Sequence, residues 1–228
     1  MKRIRDSVGS TASILAVTSL LFLVQSARAN LITNGSFEAV TPALSTNQIC
    51  SSPGSGYPYS TCTSADWSGK YQIGDGTTIG IGGSSFHIPQ PDPDGSNALI
   101  LQSAGAYASQ SVDVLSAGSY SLTFYIANRS NSPYNGPQTL NVMLDGASLG
   151  TYDDVPYSWT LESLPVDLTA GEHTLEFMTE VSGDRTTFVD DVSLATPSSA
   201  VPEPGTLALV GLTSCLAGSR LKTKNKGS

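Results

Sequence analysis

Residues 119–127 read Ser-Tyr-Ser-Leu-Thr-Phe-Tyr-Ile-Ala and alternate between apolar and mostly polar side chains. The apolar residues of one parity are Tyr120, Leu122, Phe124 and Ile126. Because successive side chains of a β-strand point to opposite faces of a sheet, this alternation predicts a strand with one face against a core. Helical spacing would instead place the apolar residues three or four positions apart, so the stretch indicates a β-protein.

The next strands are marked by the dipeptide Asp145-Gly146. Both central positions of a type I′ turn need positive φ, which Asp-Gly adopts readily. The dipeptide therefore predicts a hairpin between strands at 140–144 and 147–152.

The same alternation predicts a further strand pair, 159–168 and 173–181, joined by a turn at Ala170-Gly171. A last strand runs from about residue 186 to residue 194. Two segments rich in turn residues are predicted as long loops: 41–64 and 74–94. Short alternating strands with turn residues every ten or so positions are typical of an all-β, antiparallel β-sandwich or barrel.

The N-terminus has the three-part layout of a secretory signal. Its basic start, apolar run and small-residue triplet are Lys2, Arg3 and Arg5, then residues 14–24, then Ala27-Arg28-Ala29. The alternative is an N-terminal membrane anchor, but the apolar run is about half of the roughly 20 residues that a spanning helix needs. We therefore predict a cleaved signal helix over residues 1–29 and a mature chain that starts at Asn30.

The charge of the mature domain excludes two classes of partner. Residues 30–200 contain three basic side chains, Lys70, Arg129 and Arg185, against seventeen acidic ones, so 3 − 17 gives a formal charge of −14. Such a domain is repelled by nucleic acid and by anionic membrane surfaces. Membrane contact is therefore expected only through the terminal segments.

Two of the three cysteines, Cys50 and Cys62, lie in the mature domain, whereas Cys215 lies in a C-terminal apolar segment. Export into an oxidising compartment predicts a disulfide between the pair, which would contribute about 3 kcal/mol by closing the loop between them. Two free thiols are the alternative. Zinc is disfavoured, because His87 and His173 are far from both thiols and no metal-type spacing is present.

The C-terminus changes composition abruptly at Pro202-Glu203-Pro204. An apolar stretch, 205–219, follows, and then the basic residues Arg220, Lys222, Lys224 and Lys226. This order resembles the PEP-CTERM sorting signal of bacterial surface proteins. The resemblance implies a short C-terminal hydrophobic helix and processing by an exosortase in a Gram-negative bacterium that makes exopolysaccharide. A weak amphipathic or disordered tail is the alternative for a stretch this short.

Four short pieces along the domain are similar to galactose-binding-like jelly rolls, which include many carbohydrate-binding modules. They are Asn-Leu-Ile-Thr-Asn-Gly-Ser-Phe-Glu at 30–38, Pro-Asp-Gly-Ser-Asn at 93–97, Ala-Gly-Ser-Tyr-Ser-Leu at 117–122 and Phe-Val-Asp-Asp-Val-Ser-Leu at 188–194. The resemblance implies one jelly-roll sandwich over residues 30–195. Residues 196–200 then form a linker, and residues 201–228 form the sorting tail.

A structural calcium site is a second implication of this resemblance. Its candidate ligands lie near the two ends of the domain and are Asn34, Glu38, Asp190 and Asp191. Asp190 also shares a parity with Phe188, Val192 and Leu194, so its carboxylate is expected to be buried, which is unfavourable without a partner. Calcium accepts such oxygen ligands; the alternative is that Asp190 lies at the rim and accepts backbone hydrogen bonds.

No catalytic constellation stands out in the sequence. The neighbours Asp190-Asp191 and Asp153-Asp154 would point to opposite faces of a strand and so cannot form a dyad within it. No G-x-S-x-G nucleophile motif is present. We therefore predict that the domain is not an enzyme.

Sugar binding is the remaining hypothesis for a site. Sugars stack on aromatic rings while their hydroxyl groups bond to polar side chains. The candidate aromatic residues of the loop regions are Tyr57, Tyr59, Trp67 and Tyr71, and ordinary packing is the alternative for each.

Together these features predict an exported, non-enzymatic protein of the cell surface or the exopolysaccharide matrix, with a possible carbohydrate-binding role. The alternatives are a hydrolase acting on extracellular polysaccharide, and a purely structural matrix protein without a small ligand. An exposed aromatic pair would favour the first, a cleft with opposed carboxylates the second, and a featureless polar surface the third.

Overall fold

The computed structural model describes residues 29–76, 86–130 and 136–197. These residues form strands, turns and loops, and no helix among them is long and apolar enough to cross a membrane. The predicted signal helix and the predicted C-terminal helix both lie outside the described residues. The strands found in this part of the chain are β1 Val40–Thr41, β2 Ile49–Ser51, β3 Ser60–Thr61, β4 Thr63–Ser64, β5 Ser68–Lys70, β6 Gln72–Asp75, β7 Asn97–Gln102, β8 Tyr107–Val114, β9 Gly118–Asn128, β10 Leu140–Leu144, β11 Ala147–Tyr152, β12 Thr160–Leu168, β13 Gly171–Thr179 and β14 Thr186–Ala195.

Two large sheets dominate the domain. One is five-stranded with the order β11-β10-β13-β8-β5, and the other is seven-stranded with the order β12-β9-β14-β7-β6-β2-β3. The pairs within them are antiparallel except for β2 and β3, which run parallel. β1 and β4 form a separate two-stranded ribbon.

The main core lies between the two sheets. Phe124 of the seven-stranded sheet and Phe177 of the five-stranded sheet are fully buried, with their ring centroids 5.2 Å apart. The alternating residues of β9 enter this core as predicted, since Tyr120, Leu122, Phe124 and Ile126 are all buried. The domain is therefore the predicted all-β sandwich.

The seven-stranded sheet also carries a second apolar cluster on its outer face. Phe86 and Ile88 cover Ala98, Ile100 and Phe188 there. Tyr59 and Trp159 pack against the same cluster, and the indole Nε1 of Trp159 donates a hydrogen bond to the Pro89 carbonyl at 2.7 Å. Part of the predicted loop 74–94 thus shields one face of the sheet from water.

The hairpin prediction at Asp145-Gly146 is confirmed. β10 and β11 pair through Leu144 and Ala147, and the two turn residues have φ values of 52° and 78°. The second predicted pair is wrong in one respect: β12 pairs with β9, whereas β13 pairs with β8 and β10. The turn at Ala170-Gly171 therefore joins a strand of the seven-stranded sheet to a strand of the five-stranded sheet. In this arrangement the apolar faces of both strands turn toward the core between the two sheets.

The segment 41–64 is not a structureless loop, since it contains β2, β3 and β4. These strands are two or three residues long and rich in Ser and Thr, so they lack an alternation that a sequence pattern could detect. The predicted disulfide is confirmed: Cys50 of β2 and Cys62 are bonded, with their Cα atoms 5.6 Å apart. It fixes the 51–61 segment to the edge of the seven-stranded sheet.

Candidate functional site

Asp190 lies at an irregularity in the closing strand. The register of β14 against β9 shifts between Asp190 and Ser193, and Asp191 takes a φ of 47°. One extra residue reverses the alternation of a strand. Phe188 accordingly packs in the outer cluster, whereas Val192 and Leu194 pack in the main core. The expectation that Phe188, Val192 and Leu194 all share one face is therefore wrong for Val192 and Leu194.

Asp190 is nonetheless fully buried, as predicted. Its Oδ2 accepts a hydrogen bond from the backbone N–H of Asp94 at 3.2 Å, and its Oδ1 accepts one from the N–H of Asp191 at 2.7 Å. Burial raises the pKa of Asp190 to about 8. The two backbone hydrogen bonds lower this pKa, and the charges of Asp92 and Asp191 raise it. Asp190 therefore holds its proton more tightly than an ordinary aspartate does.

Glu38 holds the same segment from the other side. Its Oε1 accepts hydrogen bonds from the backbone N–H groups of Ser96 at 2.7 Å and Asn97 at 2.6 Å. Gly95, which directly precedes Ser96, has a φ of 75°, and a Cβ at this position would lie 2.3 Å from the Glu38 Oε1. Only glycine fits this close approach of the backbone to the carboxylate.

Asn34 forms a local turn. Its Oδ1 accepts the N–H of Ala39 at 2.8 Å, and its Nδ2 donates to the Ser64 Oγ at 2.7 Å. No three His, Cys, Asp or Glu side chains in the described part of the chain converge closely enough to hold a metal ion. Asp190 and Glu38 accept backbone hydrogen bonds, and calcium binding by Asn34, Glu38, Asp190 and Asp191 remains a prediction.

Further acidic residues lie close to the carboxylates of Glu38 and Asp190. Burial raises the pKa of Asp92 to about 6; the hydrogen bond from the Gln90 amide lowers it, and the charges of Asp75 and Glu38 raise it again. The pKa of Asp75 is also raised, first by burial and then by the charge of Glu38. This end of the seven-stranded sheet therefore concentrates negative charge.

Two of the four predicted sugar-binding aromatics are core residues. Trp67 and Tyr71 are only 5% and 1% exposed. The Trp67 ring lies 5.1 Å from that of Phe37, its Nε1 donates to the Asn34 carbonyl at 3.0 Å, and the Tyr71 hydroxyl donates to the Trp67 carbonyl at 3.0 Å. They border a cleft of about 340 Å³ but present too little ring surface for a sugar to stack on. In the structure these two residues pack as core residues, and sugar binding by them remains a prediction.

Tyr57 is half-buried and already has partners on its ring and its hydroxyl. The hydroxyl donates to the Gln102 carbonyl at 2.7 Å, and the Lys70 Nζ lies 5.6 Å from the ring centroid. Burial raises the pKa of Tyr57 to about 12, with a smaller contribution from Tyr59. Tyr57 therefore has one ring face covered by a cation.

Tyr59 borders a groove of about 430 Å³ at the β2–β3 edge of the seven-stranded sheet. Its ring is half-buried and meets the Phe86 ring edge-on, with centroids 6.3 Å apart. Asn47 and Gln48, which the sequence analysis did not single out, also line the groove, and the Gln48 Oε1 accepts a hydrogen bond from the backbone N–H of Ser45 at 2.9 Å. The other described lining residues are Pro42, Ala43, Leu44, Ile49, Cys50, Pro58, Ser60 and Thr61.

The groove carries no charge among its described lining residues, although the domain as a whole is strongly acidic. An aromatic ring next to amides and hydroxyls is a combination that suits a ligand with both apolar faces and hydroxyl groups. Neither this groove nor the cleft at Trp67 is lined by an Asp or Glu among the described residues.

Comparison with known proteins identifies the C-terminal segment. Residues 200–222 match the family model of the PEP-CTERM protein-sorting motif, and this match includes Pro202, Glu203 and Pro204. The chain thus combines a β-sandwich domain with a surface-protein sorting motif, which marks it as an exported protein of the cell surface. No curated protein matches the chain at the level of sequence.

Several carbohydrate-binding modules of known structure are similar in fold. TmCBM61, solved in complex with β-1,4-galactotriose, has 15% identity and a TM-score of 0.43, covering 74% of this chain and 99% of its own. A family 35 module from Clostridium thermocellum has 20% identity and a TM-score of 0.38, covering 47% and 83%. An exo-β-1,3-galactanase from Phanerochaete chrysosporium has 15% identity and a TM-score of 0.38, covering 67% and 30%. Similarity at this level identifies neither a ligand nor a binding site for this chain.

Proposed function

We propose that this protein is an exported, non-enzymatic surface protein whose sandwich domain binds a neutral carbohydrate in the groove at Tyr59. The observation behind this proposal is the uncharged groove itself, which places a half-buried aromatic ring beside Asn47 and Gln48. Amide groups both donate and accept hydrogen bonds, so they match sugar hydroxyls. A neutral polymer also avoids the repulsion that an anionic one would meet at an acidic domain.

The disulfide supports this assignment by fixing the groove. Cys50 lines the groove, and its bond to Cys62 holds the segment that carries Tyr59 against β2. A rigid site loses less conformational entropy when a ligand binds. A hydrolase would need a pair of opposed carboxylates, and no carboxylate is found among the described residues that line this groove.

Isothermal titration with soluble neutral oligosaccharides, such as hexamers of β-1,4-linked glucose, galactose and mannose, tests the binding proposal. We expect the mature protein to bind at least one of them and the Tyr59→Ala variant to bind it at least tenfold more weakly. Tyr157→Ala is the control, because Tyr157 is 49% exposed but does not line the groove. Equal affinity of the Tyr59→Ala variant and the wild type would contradict this location.

The sorting motif leads to a second part of the proposal: an exosortase-type enzyme in a Gram-negative host cleaves the tail near Pro202-Glu203-Pro204. Proline disfavours the helical conformation at the residue before it, and processing enzymes act on non-helical segments. Mass spectrometry of the mature protein is expected to show a C-terminus well before Ser228. A variant with all three motif residues changed to alanine should keep the tail, and a wild-type protein that still ends at Ser228 would contradict the proposal.

A further inference from the structure

A buried amide without partners lies next to the Tyr59 groove. Gln72 is fully buried, and neither its Nε2 nor its Oε1 has a hydrogen-bond partner. Ser51 lies directly opposite Gln72 in the β2–β6 pair, is only 2% exposed, and its Oγ is also without a partner. Directly opposite residues on one sheet face have side chains in contact range, so these groups form one polar patch.

The register of the sheet places this patch beside the groove. Ser51 is opposite Thr61 of β3, and Thr61 lines the groove. On its other side, Gln72 is opposite Ile100 of the outer apolar cluster, against which the groove residue Tyr59 packs. Groove residues and cluster residues therefore flank the Gln72–Ser51 pair on both sides.

An apolar residue would suit the Gln72 position better if stability were its only role. β6 is buried over Gln72, Ile73 and Gly74, and a buried amide without a hydrogen bond is unfavourable. By contrast, the buried Gln110 is fully satisfied: its Oε1 accepts the Thr33 N–H and its Nε2 donates to the Thr33 carbonyl, both at 2.8 Å. Local rules of this kind are broken mainly at functional sites.

From these observations we infer that Gln72 and Ser51 form a specificity-determining subsite of the groove, which binds two adjacent hydroxyl groups of a neutral sugar. The Gln72 Nε2 donates to one hydroxyl oxygen, its Oε1 accepts the proton of the neighbouring hydroxyl, and the Ser51 Oγ bonds to either. A carboxamide has the donor and acceptor side by side that a vicinal diol requires. This inference rests on the proposed function, and because Gln72 is fully buried, the side chains that cover it have to move when the sugar enters.

The Gln72→Met variant tests the inference, since methionine has similar volume and no amide. We expect a higher melting temperature than the wild type, because the unsatisfied amide is gone, together with at least tenfold weaker binding of the oligosaccharide that the wild type binds. The matched control is Gln110→Met, which should lower the melting temperature because it leaves the Thr33 groups unpaired, and should leave the affinity unchanged. A gain in stability together with a loss in affinity is the result expected when the amide serves the ligand and not the fold, whereas a purely structural amide would lose stability when replaced.

Deoxy analogues of the bound sugar sharpen the test. The wild type should bind monodeoxy analogues that lack one hydroxyl of the recognised pair at least tenfold more weakly than the parent sugar, and Gln72→Met should bind both alike. If Gln72→Met binds as tightly as the wild type while Tyr59→Ala does not, the subsite is overturned and the groove stands. If the wild type binds no neutral oligosaccharide, the proposed function and this inference both fall.

Discussion

Glu38 and Asn97 are joined twice: the backbone N–H of Asn97 donates to the Glu38 Oε1 at 2.6 Å, and its side-chain Nδ2 donates to the Oε2 at 3.3 Å. This contact ties a residue that precedes β1 to the first residue of β7. Together with the Asp190–Asp94 hydrogen bond, it holds residues 94–97 against the end of the seven-stranded sheet.

Replacing Glu38 by alanine is expected to lower the free energy of unfolding by about 1.5–3 kcal/mol, because hydrogen bonds to a charged acceptor are lost and the Asn97 amide is left buried without it. Urea unfolding followed by circular dichroism measures the change. Glu172→Ala is the control, because Glu172 is an exposed glutamate on β13. Equal loss in both variants would contradict the anchoring role of Glu38.

Asp190 predicts a pH dependence of stability. Its folded pKa of about 8 lies above its ordinary value of 3.8, so the folded state binds the proton more tightly than the unfolded state. The resulting stabilisation is complete below about pH 3.8 and is lost progressively as the pH rises to about 8. Because one pKa unit corresponds to about 1.4 kcal/mol, the loss is substantial.

The Asp190→Asn variant cannot titrate, so its melting temperature should fall less steeply between pH 5 and pH 8 than that of the wild type. Differential scanning calorimetry at four pH values gives the comparison. Asp113→Asn, a change at an exposed position on β8, should keep the wild-type slope. Identical slopes in wild type and Asp190→Asn would show that Asp190 is not the titrating group.

Calcium binding, predicted from the sequence, is best tested at pH 8. At pH 8 more of the Asp190 side chain is charged, so a bound calcium ion should raise the melting temperature relative to the same protein in EDTA. Asp190→Asn and Glu38→Gln should each reduce this rise. An unchanged melting temperature in calcium and in EDTA would contradict the prediction and leave the backbone amides as the partners of both carboxylates.

The disulfide gives a prediction for both stability and binding. The free energy of unfolding of the Cys50→Ala/Cys62→Ala double variant should be about 3 kcal/mol lower than that of the wild type, because the unfolded chain is no longer constrained by the cross-link. It should also bind oligosaccharide more weakly, since the Tyr59 segment is no longer fixed to β2. An unfolding free energy and an affinity equal to those of the wild type would contradict this role of the cross-link.

His173 and Asp145 form an ion pair at the β10–β11 hairpin, with the His173 Nδ1 2.7 Å from the Asp145 Oδ2. Hydrogen bonding to Asp145 raises the pKa of His173, and the same bond lowers the pKa of Asp145. The pair therefore stabilises the fold between the ordinary pKa values of 3.8 and 6.5, and its contribution is lost as the pH falls below or rises above that window.

Titration of the His173 ring by NMR measures this coupling. The pKa of His173 should fall toward 6.5 in the Asp145→Asn variant, because the charged acceptor is gone. Asp153→Asn is the control, because Asp153 directly follows the end of β11, and it should leave the titration of His173 unchanged. A His173 pKa that is the same in wild type and Asp145→Asn would contradict the pairing.

Local pattern was sufficient to predict the long inner strands, the Asp145-Gly146 turn, the Cys50–Cys62 bond and the sorting motif. Each depends on residues that are close in sequence, or on a pair of cysteines with no competing partner in the domain. The alternation of β9 is visible because its 11 residues cross the whole core. The two- and three-residue strands between 41 and 64 are too short to show a period.

What the tertiary structure alone decided is which surfaces meet. The bulge after Asp190 reverses the strand's faces, the outer apolar cluster forms where Phe86 and Ile88 return over the sheet, and Trp67 turns into the core. The unpartnered amide of Gln72 becomes visible only when Ser51 is placed opposite it. A period in sequence specifies how one strand divides its side chains between two faces, whereas burial and pairing depend on which distant segment covers each face, and that is settled by long-range packing.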